Sequence, residues 1–338
     1  MFAIGLYQNG YGQFAFNNIP FKLKKAPHSS YKIIQFRDDE ITKIEEVDNR
    51  GEMVFQYIQG DIPPFFNWKE PHRFIYANEL NAEGDIVKRY AFNSNAGHYI
   101  YSYEYDQGQN TKTTYEQSYF KDDAKRNSNT YANISRIKTL KQLKESSEVS
   151  NMMASPKVIL NTEFLNKVSK PVRIDEYSNA YKDSTKTLIK YNDSNQEISR
   201  KVITSSNQEV KREVLNEYPD NNSKITTIVN YRDGLKISSY QFAQVEDDLK
   251  GSKTEYSERN GVLNVRHYLY EGEYLTSIIV YHTKFKKKLI VPISRKLKKV
   301  AEIKYSYNEQ GLLEKEEMNN YKTGQEEART YKYQIEEL

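Results

Sequence analysis

Residues 301–317 read Ala301-Glu-Ile-Lys-Tyr-Ser-Tyr307-Asn-Glu-Gln-Gly311-Leu-Leu-Glu-Lys-Glu-Glu317. Ile303, Tyr305 and Tyr307 alternate with Glu302, Lys304 and Ser306, the period-two pattern of a strand with one apolar face. Asn308 to Gly311 then reads as a turn. Gly311 can take the left-handed backbone that closes a short hairpin loop with a bulge.

The same pattern extends outward along the chain. Strands are expected at Met53 to Ile58 after the turn Asp48 to Gly51, and at Phe74 to Leu80 and Ile86 to Phe92 around the turn Asn81 to Gly84. Tyr99, Tyr101, Tyr103 and Tyr105 fall on one face of a further strand, before the turn Asp106-Gln107-Gly108. Beyond residue 171 hairpin patterns are nearly continuous, and Tyr331, Tyr333 and Ile335 form a last strand. Gly51, Gly84, Gly108, Gly234, Gly261, Gly272 and Gly311 take the turns, which is seven of 14 glycines, so turns are this residue's main use. Their uneven spacing argues against a strict solenoid or an equal-bladed propeller.

Composition points the same way. Only 37% of the 338 residues are hydrophobic, but there are 29 Tyr and 14 Phe. Tyrosine buries its ring while its hydroxyl stays wet, which suits half-exposed sheets. The expected fold is all-β, or β-dominated: antiparallel hairpins in two halves with a short helical connecting segment. An N-terminal β-rich half spans 1–130, a helical or loosely ordered connector 131–170, and a C-terminal hairpin half 171–338. In the connector, Ile137, Leu140 and Leu143 have helical spacing, and Asn161 is expected to cap a second short helix carrying Phe164, Leu165 and Val168.

The absence of cysteine excludes disulfides, cysteine-ligated zinc and thiol catalysis. A net charge of +4, from 50 basic and 46 acidic residues, does not suggest a nucleic-acid binder. No apolar run is long enough for a transmembrane helix. Met1 to Leu6 is apolar but too short, and lacks the basic n-region, for a signal peptide; it reads as a first strand or as the stump of a longer signal, and an exported protein would need a signal upstream.

The hairpin pattern resembles the tyrosine-aspartate (YD, or Rhs-type) repeats of bacterial envelope and secreted proteins. Tyr105-Asp106-Gln107-Gly108 and Tyr307-Asn308-Glu309-Gln310-Gly311-Leu312 carry the resemblance. The family's usual Gly-Arg after the turn is replaced by Gly311-Leu312 and Gly84-Asp85. The resemblance implies a structural or shell-forming sheet, often exported, and does not imply catalysis.

Two features are candidate sites. The segment from Tyr274 to Ala301 contains no Asp or Glu, and it holds Lys284, Lys286, Lys287, Lys288, Arg295, Lys296, Lys298 and Lys299. It fits an anion or partner surface. The blander readings, which outweigh it, are a solvated hairpin or one neutralised by the acidic stretch Glu302 to Glu327. The row Tyr99, Tyr101, Tyr103, Tyr105 fits a stacking platform, although such a row is more often one half-buried face of a sheet; Trp68 in its Phe65-Phe66-Asn67-Trp68 segment fits a groove filler or, more often, the cap of a sheet end. The five histidines show no metal-ligand spacing, and the pairs Asp38-Asp39, Asp122-Asp123 and Asp247-Asp248 read as loops. No nucleotide, hydrolase or calcium fingerprint is present, and no cofactor or metal is expected.

The sequence therefore favours a non-enzymatic scaffold or binding module that is exported or part of a bacterial cell envelope or periplasm, without excluding the cytoplasm. Its partner would be a protein or another envelope component such as a lipid or glycan. A periplasmic carrier of a hydrophobic ligand in a curved sheet, and a carbohydrate-active enzyme, are the alternatives.

Overall fold

A computed structural model describes residues 21, 23–59, 73–93, 97–119, 136–177, 184–247, 251–259, 262–284 and 297–338. Of these described residues 67% are strand and 5% helix, and they form a single large antiparallel sheet that is nearly closed on itself. The strands in chain order are β1 Tyr31–Arg37, β2 Glu40–Val47, β3 Met53–Gln59, β4 Arg73–Leu80, β5 Ile86–Asn93, β6 Gly97–Asp106 and β7 Thr111–Tyr119. Helices α1 (Leu140–Lys144) and α2 (Ser147–Met153) follow. Then come β8 Val158–Leu165, β9 Pro171–Glu176, β10 Thr185–Tyr191, β11 Glu197–Thr204, β12 Val210–Asp220, β13 Ser223–Arg232 and β14 Leu235–Asp247. The last are β15 Ser252–Arg259, β16 Val262–Glu271, β17 Tyr274–Lys284, β18 Lys298–Tyr307, β19 Leu313–Asn320, β20 Gln325–Thr330 and β21 Lys332–Glu337.

From β1 to β20 every strand pairs antiparallel with the next. Closure comes from the last extended stretch. Its first part, β20, pairs with β19, from Asn320↔Gln325 to Lys315↔Thr330. After Tyr331 its second part, β21, pairs with β1, with Ile33 opposite Ile335. Tyr333 takes a hydrogen bond from Gln35 Nε2 at 2.7 Å across this join. Leu312, from the turn before β19, packs with Tyr31, Ile33 and Val47, and Phe21 and Leu23 add to that cluster.

Five loops share one geometry, and they define the repeat better than glycine does. In each, an Asn or Asp begins the turn, the fourth residue has positive φ, and the first residue's backbone N–H donates to the fifth residue's carbonyl. Asp48…Gly51, Asn81…Gly84, Asn166…Ser169, Asn192…Asn195 and Asn308…Gly311 all follow it. The opening side chain also accepts backbone N–H bonds inside its loop, as Asn308 Oδ1 does from Leu312 at 2.9 Å and Asn81 Oδ1 from Asp85 at 2.7 Å. A register shift falls beside each turn, at Val47, Leu80, Leu165, Tyr191 and Tyr307. At the turn after β6 the positive φ belongs to Asn110, at 52°, rather than to Gly108.

The helical connector packs on one face of β1–β7. Register places Ile34, Ile44, Tyr57, Ile75 and Phe92 in one cross-strand row, and Glu46, Phe55, Ala77, Tyr90, Ile100 and Gln117 in the next. Ile137, Leu143, Val149 and Met152 cover those rows. Each such fully buried side chain stabilises the contact by roughly 1.5–3 kcal/mol. The ends of the second row are polar, and they hold the ends of the helices. Glu46 accepts the Leu140 N–H at 3.0 Å, beside the Thr139 N-cap. Gln117 Nε2 donates to the carbonyls of Ser155 at 2.9 Å, Met153 at 3.2 Å and Met152 at 3.4 Å.

The second expected helix is corrected. Asn161, Phe164 and Leu165 lie in strand β8, where Asn161 is opposite both Thr114 and Glu176. Neighbouring strands on both sides outweigh the capping signal, and Val158, Ile159 and Thr162 are β-branched residues suited to a sheet.

Candidate functional site

The tyrosine row of β6 lies on the face opposite the helices, because Ile100, between Tyr99 and Tyr101, packs in the helix-covered cluster. Tyr99 and Tyr101 have parallel rings 6.0 Å apart at 7°. Tyr105, at the outer end, is 49% exposed. Lys112 of β7 sits 4.8 Å from the Tyr103 ring and 5.9 Å from that of Tyr105.

Register adds residues that the sequence reading did not single out. Tyr76 is opposite Ala91, and Ala91 is opposite Tyr99. Phe74 and Tyr76 form a second parallel pair, 6.5 Å apart at 3°. Two aromatic ridges on β4 and β6 thus flank β5, about 10 Å apart at the usual strand spacing. Ala91 leaves a trough between them. Arg89, next along β5, is opposite Asn78 on one side and Tyr101 on the other, and it donates to Asn78 Oδ1 at 3.1 Å. Glu116 is opposite Tyr101 on β7. All of these side chains are half-buried. The pairing around the turn Asn81 to Gly84 is the signal that could have found Tyr76 and Ala91.

Electrostatics separates this face from the sheet's other tyrosines. Tyr90, Tyr268 and Tyr331 donate to the carboxylates of Glu79, Glu255 and Glu316 at 2.6–2.8 Å. The hydroxyls of Tyr76, Tyr101, Tyr103 and Tyr105 meet no hydrogen-bond partner among the described residues. Burial raises the Tyr101 phenol well above its ordinary range, and the neighbouring Glu116 charge adds to the effect, so this group stays protonated as a donor.

Of the basic segment, Lys286, Lys287, Lys288, Arg295 and Lys296 lie outside the described residues, as does Trp68. Lys284 is the last residue of β17. Lys298 is exposed and opposite His282. Lys299 pairs with Glu302 of its own strand at 3.1 Å and stands 4.9 Å from the ring of Tyr321, in the turn after β19, so this cation is already engaged.

Among the histidines, His98 is buried against the Phe92 ring at 4.7 Å, and His267 bonds Thr254 at 2.8 Å. Among the described residues no group of three His, Asp or Glu side chains could hold a metal ion. Asp38 and Asp39 form the β1–β2 turn, both at positive φ. A cavity of about 330 Å³ opens beside α1, lined by Arg50, Val54, Leu80, Val87, Leu140 and Lys144 among others. Its charged groups are engaged, Arg50 with Asp48 at 2.9 Å and Lys144 with Glu79 at 3.1 Å. That lining does not suit a purely apolar ligand. No described helix is long and apolar enough to cross a membrane.

No family model and no curated protein matches this chain. Among solved structures it is similar to TcdB2-TccC3, with 12% identity and a TM-score of 0.35 over 86% of this chain. A porin-like protein from Bacteroides uniformis is similar over 91% of this chain and 96% of its own, with 8% identity and a TM-score of 0.32. The Photorhabdus luminescens Tc holotoxin pore structure with TccC3 is similar over 85% of this chain, with 12% identity and a TM-score of 0.35. The chain spans 15–16% of the length of the TccC3-containing chains it resembles.

Proposed function

We propose that this chain is a non-enzymatic β-scaffold, exported or held in a bacterial cell envelope, that presents the β4–β6 trough to an envelope glycan. The observation that carries this reading is the pair of aromatic ridges, Phe74–Tyr76 and Tyr99–Tyr101, separated by Ala91. A binding face needs flat apolar surface for a ligand's C–H groups and a few placed polar groups to fix its orientation. The rings supply the first. Arg89, Glu116 and the tyrosine hydroxyls supply the second, with donors and acceptors together as sugar hydroxyls require. The near-closed sheet supports the row from behind, since the opposite face is packed under α1 and α2. Such a platform loses little entropy on binding. In this reading the basic segment has the lesser part, because Lys299 is already paired with Glu302.

The test is binding of the full chain to a panel of bacterial envelope polysaccharides, measured by calorimetry and gel retardation. Stacking on one ring contributes about 1–3 kcal/mol, so Tyr101→Ala should weaken binding by about 5- to 150-fold. Tyr76→Ala on the facing ridge should do the same. A double variant that retains polysaccharide as the wild type does removes the trough from the reading. Fractionation of the tagged chain into cytoplasm alone removes the envelope assignment.

A further inference from the structure

On β2, beside the closing join, one carboxylate bridges an amine and an amide in a buried site. Lys43 and Glu45 are two residues apart and so share a face, the one opposite the helices. Gln56 of β3 is directly opposite Glu45. Glu45 Oε1 accepts from Lys43 Nζ at 2.8 Å and from Gln56 Nε2 at 2.6 Å. Lys43 is 3% exposed and Glu45 7%. The Phe21 ring covers the amine, 3.9 Å from Nζ. Lys43 and Gln56 are diagonal neighbours across the ladder, with Cα atoms about 7–8 Å apart, a span that a long side chain closes.

We propose that Lys43 and Gln56 join in an autocatalytic isopeptide bond, with Glu45 as the catalytic proton carrier. The Lys43 Nζ lone pair attacks Gln56 Cδ, and Glu45 accepts the proton that Nζ gives up. The tetrahedral centre collapses, the Cδ–Nε2 bond breaks, and Glu45 returns the proton to Nε2, which leaves as ammonia. One C–N bond forms and one breaks, with no change of oxidation state and no co-reactant. The product is a secondary amide that ties β2 to β3.

Three physical features favour the step. A single oxygen in contact with both nitrogens is the arrangement that passes a proton between them. Burial holds the Lys43 amine below its ordinary range although Glu45 pulls the other way, which enlarges the neutral, nucleophilic fraction. Fixed neighbours on adjacent strands react at high effective concentration, and exclusion of water protects the amide from hydrolysis. A chain without cysteine also has no disulfide with which to staple such a join.

The experiment is the intact mass of the purified, folded full chain, followed by peptide mapping. The expected result is a mass lower than the sequence mass by one ammonia, with a tryptic product in which the Lys43 and Gln56 peptides are joined and cleavage after Lys43 is lost. E45Q, which keeps the shape but removes the proton acceptor, should restore the full mass, as should K43M. A folded wild-type chain that keeps its sequence mass after prolonged incubation at neutral pH overturns the proposal. So does an ammonia loss that maps elsewhere, or one that persists in E45Q. If neither variant folds, the wild-type measurement still decides.

Discussion

Replacing Gln117 by Leu should release the helical connector from the sheet without opening the sheet. The side chain is only 8% exposed, and its Nε2 faces three carbonyls at the end of α2. An amide nitrogen carries two protons, so the bonds to Ser155 and Met153 are the two full ones and Met152 shares. Each contributes about 1 kcal/mol net, and carbonyls left dry against a leucine add further cost, so docking should weaken by about 2–3 kcal/mol. Leucine keeps the buried volume, so the loss is polar rather than a cavity. At 1.4 kcal/mol per tenfold, amides in peptides covering 140–153 should exchange about 30- to 150-fold faster. Mass-spectrometric hydrogen exchange reads this directly, with peptides from β10–β14 as the internal reference. Unchanged protection over 140–153 would refute the clamp. An equal loss over the whole chain would show that helices and sheet open as one unit.

Acid should act on the same region through Glu79. Burial alone would raise this carboxyl, but bonds from Tyr90 and Lys144 and the Lys88 charge outweigh it and hold it below its ordinary value. A depressed carboxylate contributes stability above its unfolded pKa, about 4.3, and that contribution is lost as pH falls through the folded value. Glu79→Gln should therefore flatten the acid limb of stability measured by urea titration below about pH 5; an unaltered limb would show that Glu79 is not its source. At the turns, a Cβ on Gly51 would meet nothing within 4 Å, but the residue has φ of +83°, so Gly51→Ala should cost about 1–2 kcal/mol through the backbone alone. Ser169, in the same slot at φ 58°, should gain about 1 kcal/mol as Ser169→Gly, and a loss there would contradict the shared loop geometry. Tyr333→Phe removes both the bond from Gln35 across the join and the one its hydroxyl donates to the Leu313 carbonyl, and should lower stability by about 1–2 kcal/mol; no change in the thermal midpoint would show that this hydroxyl is not part of closure.

Local chemistry made most of the hairpins legible. The alternation Ile303, Tyr305, Tyr307 and the turn Asn308 to Gly311 appear as strand β18 and a bulged loop. The repeat was less legible because glycine was its marker. Ser169 and Asn195 occupy the same left-handed slot, where the Asn opening the loop fixes the turn by its side chain, so the fourth residue need not be glycine. At Asn161 a capping residue and a following apolar run signalled a helix, and strands on both flanks decided otherwise. The Tyr99–Tyr105 row was visible within one strand, but the facing ridge at Phe74 and Tyr76 emerges only from register with β5. The cluster Lys43, Glu45 and Gln56 was invisible for the same reason, since three ordinary polar residues become a buried set only when β3 lies against β2.

The split pairing of β20 and β21 has a kinetic side. Ile33 meets Ile335, some 300 residues later in the chain. Bringing such distant points together costs about 5 kcal/mol of chain entropy if the intervening residues are slack, and far less once they are laid down as successive hairpins. Folding from hairpin to hairpin would thus shorten the effective gap at each step. Until β21 has been synthesised, β1 lacks the partner on its outer edge, and a growing sheet with an open edge can capture a neighbouring chain. The seam is therefore the place where crowded synthesis would first produce misassembly, and where a holding factor would have the most effect.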